Sequence, residues 1–211
     1  MAKILDIRGR QVWDSRGRPT VEAEVVVGRG TTPLAMGRAI APAGASTGSG
    51  EAKSVDVPKA VHNIGTRIRD GLRALSVSDQ AKIDERLIDL DGTPDRSRLG
   101  ANAMVAVSLA CAHADAAAEK VPLWKKLAGD RRVALPVPQI QIFGGGAHAR
   151  GRCDVQDYMI VCIGAGTSPR LSNGRRRCTQ RRESGSRSAA RSRGWLTKAA
   201  TGRRSRRTKK A

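Results

Sequence analysis

The chain has 211 residues, enough for one large domain or two small ones, and a formal net charge of +20. Most of that charge lies in residues 166–211, which contain 16 Lys or Arg against one acidic residue, Glu183. The start of the chain has no apolar signal segment, and no run reaches the ~18–20 apolar residues of a membrane span. These features favour a cytoplasmic protein over a secreted or membrane one.

The four cysteines support the same compartment. Cys111, Cys153, Cys162 and Cys178 follow no metal-ligand spacing. In a chain of this size they predict free thiols in a reducing compartment rather than a disulfide framework.

The first forty residues show the alternation that is typical of β-strands. Ile4 to Trp13 alternates loosely and ends in a cluster of turn-forming residues. Thr20 to Val27 alternates cleanly, with Val and Ala on one face and Glu on the other, which predicts a half-buried strand. A third strand is predicted over Leu34 to Ile40. Three strands with short connections predict an antiparallel meander.

Helical periodicity follows a loop of small residues. Apolar residues within 61–68 share one face of a predicted helix, and those within 83–90 line a second. The second helix is predicted to begin at Ser76 or Ser78 and to end at a glycine. Residues 101–119 are apolar on most sides, Val105 and Leu109 included, which predicts a buried helix.

Two more strands are predicted, over Leu135 to Phe143 and Gln156 to Val161. Strands, then helices, then new strands indicate an α+β domain over residues 1–134, followed by the opening of a second domain over 135–165. The remaining residues, 166–211, are rich in Arg, Ser, Gly and Thr. They contain too few large apolar side chains to bury a core, so this tail is predicted to be disordered.

Six ordered blocks of sequence resemble one family. They read DSRGRPTVEAEV, APAGASTGSGE, LDGT, GANAMVAVSLACAHADA, LPVPQIQIFGGGAHA and QDYMIV. Together they resemble the amino-terminal half of enolase, the phosphopyruvate hydratase of glycolysis, over about residues 1–165. The resemblance implies a first domain made of the meander and helices, which helps to form a homodimer. A TIM-like barrel would follow it, beginning at the predicted strand Leu135 to Phe143.

The resemblance also implies a chemistry and a set of residues. Enolases dehydrate 2-phospho-D-glycerate to phosphoenolpyruvate with Mg²⁺, and enolase-superfamily sites pair a Lys or His base with one or two such ions. Ser46 matches the serine of a loop that closes over the substrate and reaches the second Mg²⁺. His148 matches a loop histidine near the substrate phosphate. Gln156 and Asp157 match a Gln-Glu pair at a strand end.

Three of these residues have an ordinary structural explanation beside the functional one. Ser46 in a Gly/Ala loop is typical of a flexible turn, and His148 after three glycines is typical of a solvent-facing loop. Asp157 beside an aromatic residue is a common strand-end residue. The chain also departs from the family pattern. Ala43 replaces a serine, Arg150 replaces a small residue, and Asp157 is one methylene shorter than the family's Glu.

The resemblance places the base, the acid and three Mg²⁺-binding carboxylates on later barrel strands. A (β/α)₈ barrel takes about 250 residues. Residues 166–211 offer a single carboxylate, Glu183. The chain as written is therefore predicted to be truncated and inactive as an enolase, without a bound Mg²⁺.

The origin and role of the tail allow several hypotheses. Codons read one base earlier can encode enolase-like segments opposite Thr167 to Thr179 and Gly194 to Ala200, so a frameshift near Gly166 would explain the tail. Alternatively, the Arg-rich blocks could bind nucleic acid without sequence preference, which we regard as the less favoured reading. A third hypothesis makes the chain a non-catalytic dimerisation fragment.

Overall fold

The computed structural model describes residues 1–44, 48–149, 152–161 and 163. The chain divides between Arg132 and Val133 into two compact units. The predicted disordered tail and the predicted boundary at residue 165/166 lie outside the described residues.

A three-stranded antiparallel sheet opens the first unit. Its strands are β1 (Lys3–Trp13), β2 (Pro19–Arg29) and β3 (Thr32–Ile40), in the order β1-β2-β3. Asp14 closes the β1–β2 turn, because its carboxylate accepts the backbone N–H groups of Arg16 and Arg18, each at 2.8 Å. The predicted meander is confirmed.

The two faces of the sheet differ as the alternation predicted. Val21, Ala23, Val25 and Val27 are fully buried on the inner face of β2. Glu22 and Glu24 lie on the outer face, where they pair with arginines of the neighbouring strands: Arg10 Nε donates to Glu22 at 2.6 Å and Arg38 Nε to Glu24 at 2.7 Å.

Helices cover the inner face. Their bounds are α1 (Val57–Asn63), a π-helical segment (Ile64–Ile68), α2 (Arg69–Leu72), α3 (Gln80–Asp91), α4 (Ala101–Ala118) and α5 (Leu123–Ala128). The first predicted helix is present, but it is interrupted by the π segment. Ile64 and Ile68 of that segment are fully buried, and Ile64 packs where Gly9 of β1 leaves room.

The start of α3 corrects one sequence prediction. Neither Ser76 nor Ser78 begins the helix. Asp79 is the N-cap, and its carboxylate accepts the backbone N–H of Lys82 at 3.1 Å. The two serines instead hydrogen-bond to each other through their hydroxyls. Asp79 sits one residue before the helix, where a carboxylate satisfies an otherwise unpaired backbone donor.

The buried helix α4 packs on β2 and β3. Its small side chains, such as Ala106, Ala110 and Ala114, are buried, which confirms the prediction for the helix as a whole. The two largest residues named for it are an exception: Val105 and Leu109 are 49% and 44% exposed. Close approach to the sheet selects small side chains for the part of the helix that meets it, while Val105 and Leu109 lie on the outer side.

Within the described ranges, α4 alone is long and apolar enough to cross a membrane. Half of the window that passes this test is buried inside the protein. Its burial against the sheet therefore accounts for its composition.

The second unit contributes a two-stranded antiparallel sheet, β4 (Gln139–Gly144) and β5 (Asp157–Val161). The strand predicted from Leu135 starts four residues later than expected. Pro136 and Pro138 lack a backbone N–H and cannot donate to a strand ladder, which explains the shortened strand. The described residues of this unit contain these two strands and no closed barrel.

Candidate functional site

The connection between β4 and β5 carries most of the residues that the resemblance assigns to substrate binding. Backbone hydrogen bonds hold its described residues together. The N–H of Gly145 donates to the carbonyl of Gln156 at 2.6 Å, and the N–H of Gly146 donates to the carbonyl of Cys153 at 2.7 Å. These bonds bring the glycine run against the start of β5.

The glycines are required by this packing. A Cβ on Gly145 would overlap the carbonyl oxygen of Val155. Gly146 has a φ of +54°, a conformation that favours glycine. Packing therefore explains these two glycines of the glycine run without any ligand.

His148 lies in the short 3₁₀ turn Gly146–Ala149 that follows. The turn is held by the N–H of Ala149, which donates to the carbonyl of Gly145 at 3.3 Å. The structure places the backbone of His148 beside the glycine run. Its role as a phosphate ligand stays a prediction.

Gln156 and Asp157 lie where β5 begins, and both are exposed. The carboxylate of Asp157 accepts a hydrogen bond from the side-chain amide of Gln141 on β4. Sequence analysis did not single out Gln141. The available signal was its position in the alternating run of β4, since a polar residue there faces the same side as its cross-strand neighbours. The described site is therefore a polar pair, Gln141 and Asp157, next to Gln156.

The neighbouring residue of β5 faces the other way. Tyr158 packs edge-on against Phe143, with 5.5 Å between ring centroids. Its hydroxyl lies 3.3 Å from the thiol of Cys153, and this hydrogen bond raises the pKa of Tyr158. Successive side chains of a strand point to opposite faces, so the aromatic pair supports the hairpin behind the polar pair.

Metal binding at this site has weak support from the described side chains. Within the described ranges, no three His, Cys, Asp or Glu side chains gather in a way that could hold a metal ion. Asp157 is a single carboxylate, and it is already bonded to Gln141. Ser46, the predicted ligand of a second Mg²⁺, lies outside the described residues. The described residues do not fit a Mg²⁺ centre, which takes several oxygen ligands, and no reaction step is derived through one.

Comparison with known families decides the ancestry of the chain. The enolase N-terminal domain matches residues 4–127, which is more than half of the chain. The chain belongs to the enolase family. The enolase C-terminal TIM barrel domain matches residues 132–174, directly after the first match and in the same order as in enolases. This second match runs past Ala165 into the region predicted to be an unrelated tail.

Membership gives the site its general context. Enolases use Mg²⁺, bind phosphorylated small molecules and form dimers. The resemblance to enolase is thus confirmed at the level of the family. The individual roles of Ser46, His148, Gln156 and Asp157 remain predictions.

Proposed function

We propose that this chain derives from a cytoplasmic, glycolytic enolase and that its 211 residues do not by themselves catalyse the enolase reaction. That reaction is the Mg²⁺-dependent dehydration of 2-phospho-D-glycerate to phosphoenolpyruvate. The observation that carries the proposal is the pair of consecutive family matches, to a first domain and to the beginning of a barrel domain.

The chemistry of the reaction explains why a first domain and the beginning of a barrel are insufficient for catalysis. The reaction removes a weakly acidic proton from the carbon beside a carboxylate, so it needs a base, an acid for the departing hydroxyl, and cations for the developing negative charge. His148, Gln156 and Asp157 could contact the substrate and orient it. The carboxylates that bind the first Mg²⁺ and the acid have no full set of counterparts here, because residues 166–211 offer only Glu183 as an acidic side chain. The strand that would position the base belongs to the part of the barrel that these residues do not resemble.

The test is a direct assay of the purified chain with 2-phospho-D-glycerate and Mg²⁺. We expect no phosphoenolpyruvate above the level of a blank without protein. An authentic enolase in the same buffer is the positive control. Turnover that co-purifies with the chain and is lost in a His148→Ala variant would overturn the proposal.

We also propose a frameshift as the origin of the tail, and this part rests on the sequence alone. Two segments of the adjacent reading frame can encode enolase-like sequence in the correct order. DNA sequencing across the codons for residues 160–211 tests it. An adjacent frame with no enolase-like segment would rule the frameshift out.

A non-catalytic role as a dimerisation fragment is the second candidate, favoured by the outer face of β3. Leu34, Met36 and Ile40 alternate along that face and are all exposed, beside the Arg38–Glu24 ion pair. Exposed apolar side chains framed by charges are typical of protein interfaces. Nucleic-acid binding by the basic tail stays the less favoured alternative.

The dimer hypothesis predicts that Met36→Glu weakens self-association by placing a carboxylate in the apolar row. Sedimentation velocity over a range of protein concentrations would measure this effect. Glu85→Gln, an exposed change on α3, is the control. A chain that is monomeric at all concentrations before mutation would refute the hypothesis.

A further inference from the structure

The segment Lys53–Val55 connects the small-residue loop to helix α1 without belonging to either. We call these three residues the strap. It has no helix or strand structure of its own, yet both of its ends are hydrogen-bonded to one place, the residues just before and at the start of α4. Its sequence position alone gives no reason for such an attachment.

The first set of contacts is made by the backbone of Lys53. Its N–H donates to the carbonyl of Asp95 at 2.7 Å, and its carbonyl accepts the N–H of Ala101 at 2.8 Å. Ala101 is the first residue of α4, and the cap residue Gly100 has no side chain with which to satisfy the unpaired donors there. The strap therefore supplies an acceptor that the helix lacks.

The second set is made by one side chain of α4. The amide of Asn102 binds both backbone groups of Val55: its oxygen accepts the N–H at 3.2 Å and its nitrogen donates to the carbonyl at 2.9 Å. A primary amide offers an acceptor and a donor side by side, which suits this pairing. The side chain of Asn102 thus pairs with the backbone of Val55 in the way that the backbone of a neighbouring strand would.

A packing contact and an ion pair complete the attachment. A Cβ on Gly100 would come within 2.5 Å of a methyl group of Val55, so the valine side chain lies directly over the glycine. Lys53 Nζ lies 3.0 Å from the carboxylate of Asp95, with the lysine side chain 70% and the aspartate side chain 38% exposed. Exposed ion pairs contribute little to stability. The amide bridge and the backbone bonds are the stronger part.

We propose that Asn102 is a latch that holds the strap against the start of α4, and that the strap opens as a unit separately from the unfolding of the domain. The bonds to the strap come from Asp95 in the preceding loop and from Ala101 and Asn102 at the start of α4, whereas the core of the domain lies between the sheet and the helices. Val55 is partly buried against that core, whereas Lys53 and Ser54 are exposed, so releasing the strap uncovers the rim of the core and not its centre. The latch and the strap lie within the described residues, and their contacts are the same whether or not the chain has enolase activity.

Hydrogen exchange of the full 211-residue chain, read by mass spectrometry, tests the latch. In Asn102→Ala the two bonds to Val55 are lost, and we expect the amides of the strap to exchange on the order of tenfold faster. The amides of β2 should keep their protection, because alanine is a better helix former than asparagine. His113→Ala, an exposed change further along α4, is the matched control and should change neither.

The variant Asn102→Asp distinguishes the loss of the latch from a loss of helix stability. A carboxylate near a helix N-terminus is favourable, and it can still accept the N–H of Val55, but it cannot donate to the Val55 carbonyl. We expect the strap amides to exchange at a rate between those of the original chain and of Asn102→Ala. The amides of α4 should keep their full protection. Strap exchange at the original rate in Asn102→Ala would overturn the proposal. Equal acceleration of the strap and β2 would also overturn it, because opening would then be global unfolding.

Discussion

At the scale of single residues, Asp91 does more for the fold than its sequence position suggests. It is the last residue of α3 and is completely buried. Its carboxylate accepts the backbone N–H of Thr93 at 2.9 Å, the hydroxyl of Thr93, and the backbone N–H of Leu99 at 2.7 Å. One side chain thereby fixes both ends of the loop that leads to α4.

Replacement of Asp91 by Asn should destabilise the first unit by about 1–3 kcal/mol, because the amide nitrogen cannot accept the buried N–H of Leu99. Urea unfolding followed by circular dichroism would measure this loss. Asp89→Asn on the exposed side of the same helix is the control. Equal effects of the two changes would show that helix charge, and not the buried carboxylate, is responsible.

The same carboxylate predicts a dependence of stability on pH. Burial by itself would raise the pKa of Asp91, but hydrogen bonds from Thr93 and Leu99 outweigh it and lower the pKa below the ordinary 3.8. A lowered pKa in the folded state gives stability that is complete above about pH 4 and is lost as the pH falls through the folded pKa. Asp91→Asn should therefore lose less stability between neutral and acid pH than the original chain.

At the scale of elements, the sheet and α4 approach each other more closely than side chains normally allow. Gly37 of β3 faces the backbone of α4, and a Cβ there would overlap the carbonyl oxygen of Ala110 and the N–H nitrogen of Ala114. Neither backbone atom can move unless the helix shifts. This contact explains why α4 presents alanines to the sheet.

Gly37→Ala should therefore cost about 3 kcal/mol or more, at the upper end of overpacking effects. Gly65→Ala is the matched control, since its Cβ would meet no atom within 4 Å and it lies in a helical segment. That change should be neutral or should add about 0.5–1 kcal/mol. The midpoints of thermal unfolding measure both, and a Gly37→Ala chain as stable as Gly65→Ala would contradict the close approach.

At the scale of the whole molecule, the buried core belongs to one unit. Every buried hydrophobic side chain of the described residues lies between Ile4 and Ala128. The second unit has large apolar side chains on its surface instead, with Leu135 95% and Ile163 90% exposed. A two-stranded hairpin is marginally stable in water without a further layer.

The full chain should therefore aggregate as its concentration rises, whereas a chain that ends at Arg132 should stay monodisperse and unfold cooperatively. Size-exclusion chromatography with light scattering, combined with a thermal melt, compares the two. A chain ending at residue 165 separates the effect of the hairpin from that of the tail. A monodisperse full chain with a single cooperative melt would contradict this expectation.

Much of the fold was predictable because the local pattern of apolar and polar residues indicates directly which side chains are buried. The alternation of β2 assigned the inner face residue by residue, and the alanines of α4 indicated a buried helix. The cap of α3 and the start of β4 were wrong by a few residues, since turn residues such as Ser76 and Ser78 compete with Asp79 for one role. Helix α5 was missed because six residues carry too little periodicity.

For the candidate site, the sequence determined which family the residues belong to, and six ordered blocks were sufficient for that. It also determined the charge asymmetry that leaves residues 166–211 with a single carboxylate. Only the tertiary structure decided which side chains meet. Asn102 and Val55 are 47 positions apart and Gln141 and Asp157 are 16 apart. Periodicity tells which face a residue occupies, but the partner on that face is fixed only when the chain folds back on itself.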